Sequence, residues 1–499
     1  MLLSAHGSLA EWLGTGLQNR LQQFESARNL SSSLHCAGFF YLPSPNLVIF
    51  GTLTIFVHNL LTIYKMKTII EPSVIDGIMK KLEIKDIQTA SIRQIGALVR
   101  QAEQQTGTEY IHFEMGIPGL PPSAVGVQAE CEALQKGVAS QYPIIDGIPS
   151  LKQEASRFIK AFLNTDIKPE GCTPTVGSMQ ASFASLMLCS QLDEKKDTIL
   201  YIDPGFPVQK MQAKVIGAKI ASFDVANYRN EKLRAQLESY FQQGNICAVL
   251  YSSPNNPSWM CLNEQELQII GELATKYDVI VIEDLAYMTM DFRQDFGIPF
   301  QAPYQPSVSH YTDNYILLMS ASKIFSYAGQ RIAVACISDA LYQRHYDSLE
   351  QRYGIARFGA AYSYVFLYTF SSGVSHSAQY AMAAMLKAAC DGSYTFVKDV
   401  KEYANRTHKI KEILHRNGFH IVYDKDCDCP VSDGFFFTIG YKDMSGAELL
   451  KELLYYGISG IDLATTGSTR KGIRACSSNI QPHHYQLLEE RLQLFNQNH

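Results

Sequence analysis

The stretch Ile246–Asp284, ICAVLYSSPNNPSWMCLNEQELQIIGELATKYDVIVIED, decides how this chain is built. It opens on an apolar run, ICAVLYSS, and breaks at the turn PNNP. Asn263 with Glu266 three residues on is a capping-box start for the helix EQELQIIGELATKY. A second apolar run, DVIVIED, follows at once. Strands that are apolar throughout, rather than on alternate residues, are buried on both faces. Separated by helices, they form a parallel sheet in an α/β domain.

The pattern extends in both directions from about Gln141. DTILYID (197–203) and NYILLMS (314–320) read as further buried strands. EKLRAQLESYFQQG (231–244) has helical spacing and a glycine stop at Gly244. The chain shows no internal repeat and no low-complexity linker. In such a sheet ligands sit beyond the carboxyl ends of the strands. The polar residues at those ends are Asn255 and Asn256, then Asp284, then Ser320, Ser322 and Lys323. Three strands thus deliver them toward one edge.

The chain of 499 residues is long enough for two domains, and a net charge of −5 with a pI near 6.2 gives no basic face for nucleic acid. Its eleven cysteines include no CxxC pair, and Cys427-Asp-Cys429 lacks zinc-knuckle spacing. Reduced thiols in a cytoplasmic protein, without a metal, are the expectation. Residues 1–65 hold five charged side chains, and Leu47–Tyr64 is an uncharged run of eighteen, the lower limit for a membrane span. His58 and Asn59 in its middle would be costly in lipid. The segment is therefore expected to be a non-catalytic extension, with a membrane anchor as the minor alternative and Met66 as a plausible start of the catalytic part.

In SASKIFSYAGQRIAV (320–334), Lys323 and Arg331 stand without an acidic neighbour. A sheltered lysine loses its proton readily and condenses with aldehydes. The aldehyde cofactor that uses such a lysine is pyridoxal 5'-phosphate. It needs an acid at its pyridinium nitrogen, donors at its phenolic oxygen and a phosphate cup. Asp284 suits the first, Tyr287 and Asn256 the second, Arg331 and Ser320 the third. TVGSMQASF (175–183) places Gly177 and Ser178 just before a predicted helix, where free N–H groups would meet the same phosphate. Phe206 offers an aromatic face to the ring. Singly these are a strand-end cap, a packed tyrosine, a turn and a helix start.

The ordered set SPNNP, EDLAY, SASK…GQR and GIRACSS resembles the class I/II aminotransferases, fold-type-I pyridoxal-phosphate enzymes, from about Gly116 onward. The resemblance implies a large domain with a mostly parallel, seven-stranded sheet flanked by helices, and a smaller α+β domain. The expected limits are 136–377 for the large domain, with 66–135 and 378–499 forming the small one. It implies that Lys323 carries the cofactor and moves the substrate proton, that Asp284 keeps the pyridine nitrogen protonated, and that Tyr287 and Asn256 bind the phenolic oxygen. Ser178, Met179, Ser320 and Arg331 match the phosphate end, and Phe206 the stacking ring. Arg474 matches the clamp on the substrate α-carboxylate, and Gly116 the glycine beside the substrate. Tyr142 matches a tyrosine lent to the neighbouring subunit, which implies a homodimer acting on an amino acid and a 2-oxo acid. A β-eliminating lyase or decarboxylase on the same fold is the rival reaction, and a non-enzymatic sensor domain the rival class. Trp259 departs from a position that is usually small, Met179 from one often polar. Residues 341–370 match no motif and either shape the entrance or cover the domain.

Overall fold

The computed structural model describes residues 68–499, so the expectations for residues 1–65, including the run 47–64, lie outside the described residues. Among the described residues, no helix is long and apolar enough to cross a membrane. Seven strands form the main sheet: β1 (Cys172–Val176), β2 (Thr198–Asp203), β3 (Lys219–Asp224), β4 (Ile246–Ser252), β5 (Ile280–Asp284), β6 (Tyr315–Ser320) and β7 (Ile332–Ile337). Their order is β1-β7-β6-β5-β4-β2-β3. All pairings are parallel except those of β7, which runs against both β6 and β1. The cause is local, because residues 321–331 between β6 and β7 are too few for a full crossover helix.

Alternate residues feed the two faces, as the pleat requires. Leu317 and Met319 of β6 enter one core, Ile316 and Leu318 the other. The second of these cores is closed by the helix Gly177–Cys189 and by Leu341, Leu349, Phe358, Tyr362 and Phe366. The segment 341–370, which matched no motif, is therefore a cover for the sheet. The helix predicted over 264–277 forms as Glu264–Lys276, with both bonds of its Asn263–Glu266 capping box made.

A third core joins Ile70–Phe113 to Ile410–Phe495 around a four-stranded antiparallel sheet. The long helix His376–Cys390 and residues onward to Tyr403 pack instead into the large core, beyond the limit expected at 377. At the other limit, the helix Ala124–Gln135 lies against this same helix, so it too sits with the large core.

The topology explains why distant segments meet. The carboxyl ends of β1, β2, β4, β5 and β6 all lie on one edge of the sheet. Since β7 runs the other way, its amino end, just after Arg331, lies there too.

Candidate active site

At that edge lies a cavity of about 440 Å³. Of the twelve residues expected from the sequence, all line it except Tyr142, which is 92% exposed elsewhere on the surface. Apart from Gly116 and Arg474, the lining ones come from a main-sheet strand end or the turn or helix start after one, so the sheet's rigidity fixes their relative positions.

Lys323 follows β6 in a one-turn helix whose start is capped by the Ser320 hydroxyl, accepting from the Ser322 N–H at 3.2 Å. Its ammonium donates to the Gly116 carbonyl. Burial, with help from the nearby positive charges of Arg474 and Arg331, pulls its pKa down to about 8. Asp284 closes β5. Its Oδ1 accepts from the Ala286 N–H at 3.1 Å and its Oδ2 from the Gln209 amide at 2.8 Å. Both partners are neutral, so burial wins and pushes the carboxyl up to about 6. A buried carboxylate in this position needs a cation facing it.

Burial also raises the Tyr287 phenol well above its usual value, with the Asn256 amide beside it acting the other way. Asn256 Oδ1 is buried without a partner. Arg331 donates to the Ala328 carbonyl at 3.0 Å, and its guanidinium lies over Gly177. Gly177 has φ +68 and no space for a Cβ on that side, so only glycine lets the guanidinium reach the first turn of the helix Gly177–Cys189. That helix has no side-chain cap, which leaves its first N–H groups facing Arg331's side of the cavity. Gly177 and Ser178 thus stand in the helix's first turn rather than before it, as the sequence suggested.

Arg474 lies in the strand Ile473–Cys476 and is 2% exposed. It donates from Nη2 to the Glu114 carbonyl at 2.5 Å, packs over the Phe436 ring at 4.9 Å, and keeps Nε unpartnered. Burial lowers its pKa.

Three contributors were not read from the sequence. Gln209, on the first turn of the helix Pro207–Ile216 after Phe206, holds Asp284. Its only signal is a polar residue in the same turn as Phe206. Phe436 forms a wall under Arg474. Trp259 has φ +61 and packs edge-on against Tyr287 at 5.3 Å. Its indole occupies the space a side chain at Gly434 would need. The bulk at a usually small position therefore fixes the Tyr287 ring from behind.

The comparisons with known proteins agree with this architecture. The family described as aminotransferase class I and II matches residues 108–479. A probable aspartate aminotransferase of Methanocaldococcus jannaschii is 25% identical over 74% of this chain and 87% of its own length. A glutamate-pyruvate aminotransferase of Escherichia coli is 30% identical over 48% of this chain and 56% of its own. In structure, the alanine aminotransferase of Pyrococcus furiosus superposes with a TM-score of 0.66 at 18% identity, over 84% of this chain and 99% of that one. With a cavity of this kind at the strand ends and a match that spans most of its length, the chain belongs to the class I and II aminotransferases.

Proposed function

We propose that the cavity holds pyridoxal 5'-phosphate and transfers the α-amino group of a neutral amino acid to a 2-oxo acid. The residues fit that cofactor on their own chemistry. Asp284 is a buried carboxylate whose partners are neutral, which suits a protonated ring nitrogen. The uncapped helix start opposite Arg331 suits a phosphate, with Ser178, Met179 and Ser320 around it. Tyr287 and Asn256 would serve the phenolic oxygen, and Phe206 the face of the ring.

When bound, the cofactor supplies an aldehyde that takes the amino group and a ring that accepts the electron pair left at Cα. The protein does the rest. Lys323, held near neutrality, would take the proton from Cα at its Nζ and deliver it to the cofactor's carbon rather than back to Cα. Arg474 clamps the α-carboxylate with a planar fork, and Gly116 lets the backbone lie close beside it. Ile92, Ile117 and Pro118 line the same cavity, which favours a neutral, apolar or aromatic side chain. Tyr142, being exposed, is assigned to the phosphate end of a second copy's site, so the working unit is a homodimer. Every cysteine among the described residues is free, in keeping with a cytoplasmic enzyme.

The observation that carries this reading is the isolation of Lys323, a half-buried lysine whose hydrogen bond goes to a carbonyl and whose charged neighbours include two arginines. Borohydride reduction of the holoenzyme followed by peptide mapping tests it. The label is expected on Lys323, and a label on Lys210 or Lys214 would remove the whole assignment. Adding single amino acids while following the cofactor's absorbance then identifies the donor.

A further inference from the structure

The cavity's backbone wall is an irregular segment. Residues 112–119 form neither helix nor strand, and the chain before them has one bridge, Ile111 to Ile458. Yet two carbonyls of this segment meet cations of the cavity. Glu114 accepts from Arg474, and Gly116 accepts from Lys323. Backbone bonds tie the chain at Ile111 and at Phe113, whose carbonyl accepts from the Cys476 N–H at 2.9 Å, and beyond Phe113 side chains must help to hold the two carbonyls at these contacts.

His112 is built for that task. Its Nδ1 lies 3.0 Å from Glu114 Oε1, and its Nε2 lies 3.0 Å from Glu103 Oε1 on the helix Ile92–Thr106. Glu114 is 1% exposed, and its other oxygen accepts from the Ser459 hydroxyl. Glu103 also accepts from the Tyr110 N–H at 3.0 Å. A ring placed between two carboxylates can donate to both only as an imidazolium. Burial opposes that charge, but Glu114 and Glu103 outweigh it and hold the pKa above the ordinary histidine value.

We propose that His112 is a positioning residue of this active site: anchored on Glu103 and Glu114, it sets the Glu114 and Gly116 carbonyls against Arg474 and Lys323. The proposal rests on the roles given to those two cations in the proposed function. As the pH rises through the His112 pKa, the ring loses one N–H, and one carboxylate loses its bond to the ring while keeping its other donor. The wall that orients Arg474 loosens, so substrate carboxylate binding weakens above the ordinary histidine range and is intact below it.

The neighbouring charged groups leave this assignment distinct. Glu103 and Glu114 face the ring directly, and Tyr110 stays protonated through burial. From the helix Pro482–Asn498, His484 acts on His112 and Arg491 on Glu103. Glu109 is occupied by His483 at 3.2 Å and His484 at 3.0 Å. His484 Nδ1 accepts the Gln481 N–H at 3.0 Å, so its Nε2 carries the proton that Glu109 receives, and burial lowers its pKa. It therefore titrates below His112.

The test titrates the holoenzyme and His112→Gln with L-alanine, L-leucine and L-phenylalanine between about pH 6 and 9. Cofactor absorbance gives the apparent dissociation constant and the saturating rate separately, and amide hydrogen exchange follows residues 112–116 with and without cofactor. For the wild type, the dissociation constant should rise about tenfold across one inflection. In His112→Gln it should be weak and flat, the saturating rate should change less than about threefold, and residues 112–116 should exchange faster. Glu103→Gln serves if that variant does not fold, and should move the inflection to lower pH. A His112→Gln enzyme that melts earlier but keeps wild-type constants and pH profile overturns the proposal, as does an unmoved inflection in Glu103→Gln. If no amino acid alters the wild-type spectrum, the aminotransfer reading itself fails and the proposal falls with it, a result that needs no variant to recognise.

Discussion

Two parts of this molecule bury arginines and carboxylates, and they treat them in opposite ways. Beneath the turn after β4, Arg229 bonds Glu266 through Nε and Nη2, both at 2.7 Å, and Asp426 through Nη1 at 2.6 Å. Arg293 completes the group by reaching the other Asp426 oxygen at 2.8 Å. Burial opposes the charge on Arg229, but the carboxylates outweigh it and raise its pKa. In the cavity the pairing is withheld. Lys323 and Arg474 donate to carbonyls, Asp284 accepts from neutral donors, and the pKa values of both Lys323 and Asp284 move toward neutrality. The first arrangement tolerates no change of protonation, whereas the second is poised for a charged partner that arrives from outside.

The contrast should appear as two different kinds of damage. Lys323→Ala removes the group that moves the proton, so the half-reaction with an amino acid should slow by roughly 10²–10⁴-fold while the fold survives. Stopped-flow absorbance would show it, and a variant within tenfold of the wild type would contradict the role. Arg229→Met should do the reverse. It leaves Glu266 as an uncompensated buried charge and Asp426 with Arg293 alone, which costs about 3–5 kcal/mol in urea unfolding, and the half-reaction constants of the folded fraction should stay near those of the wild type.

Neighbours on β5 sharpen the comparison further. Glu283 and Asp284 are adjacent and both buried, but only Asp284 lines the cavity. Glu283 points into the large core and accepts from the Ser307 hydroxyl at 2.6 Å and the Val308 N–H at 3.2 Å. Burial raises it from 4.5 to about 7. Because the folded state binds this proton more tightly than the unfolded state, the contribution of Glu283 to stability is fully present below about pH 4.5 and is lost as the pH climbs toward 7. It is flat above that, and the loss is on the order of 3 kcal/mol. Glu283→Gln should therefore be more stable than the wild type at pH 8 and should flatten this part of the unfolding curve. Its cofactor spectrum should not change, whereas Asp284→Asn should alter the spectrum. An unchanged pH dependence in Glu283→Gln would show that Glu283 is charged in the folded state.

What could be read from the sequence follows the same division. Lys323, Asp284 and Asn256 stood out because polar residues closed runs that were otherwise apolar, and a parallel sheet brings all such ends to one edge. Gln209 did not, since a glutamine on an amphipathic helix looks like a solvated face until the fold buries it. His112 gave no signal because its partners lie on a helix nine residues away and on its own irregular segment, where no period operates. The segment 341–370 was opaque for a geometric reason. A π-helical stretch at Tyr362–Leu367 breaks the 3.6-residue period, so apolar residues that face one core do not recur at helical spacing.

The smallest effect predicted separates clamp from charge at Arg474. Its guanidinium is planar, sits over the Phe436 ring at 4.9 Å and is anchored at one end by the Glu114 carbonyl. A lysine in its place keeps the positive charge but offers a single point of contact. Arg474→Lys should thus retain the cofactor, with the same absorbance and the same resistance to its removal. It should lose one of two parallel charged hydrogen bonds to the α-carboxylate, about 1.5–3 kcal/mol. That corresponds to roughly tenfold or more in the dissociation constants of both amino acid and 2-oxo acid. The loss should be common to all substrates, because the α-carboxylate is what they share. A penalty confined to one side-chain class would place Arg474 at the side chain instead, and unchanged constants with several amino acids would remove it from substrate binding altogether.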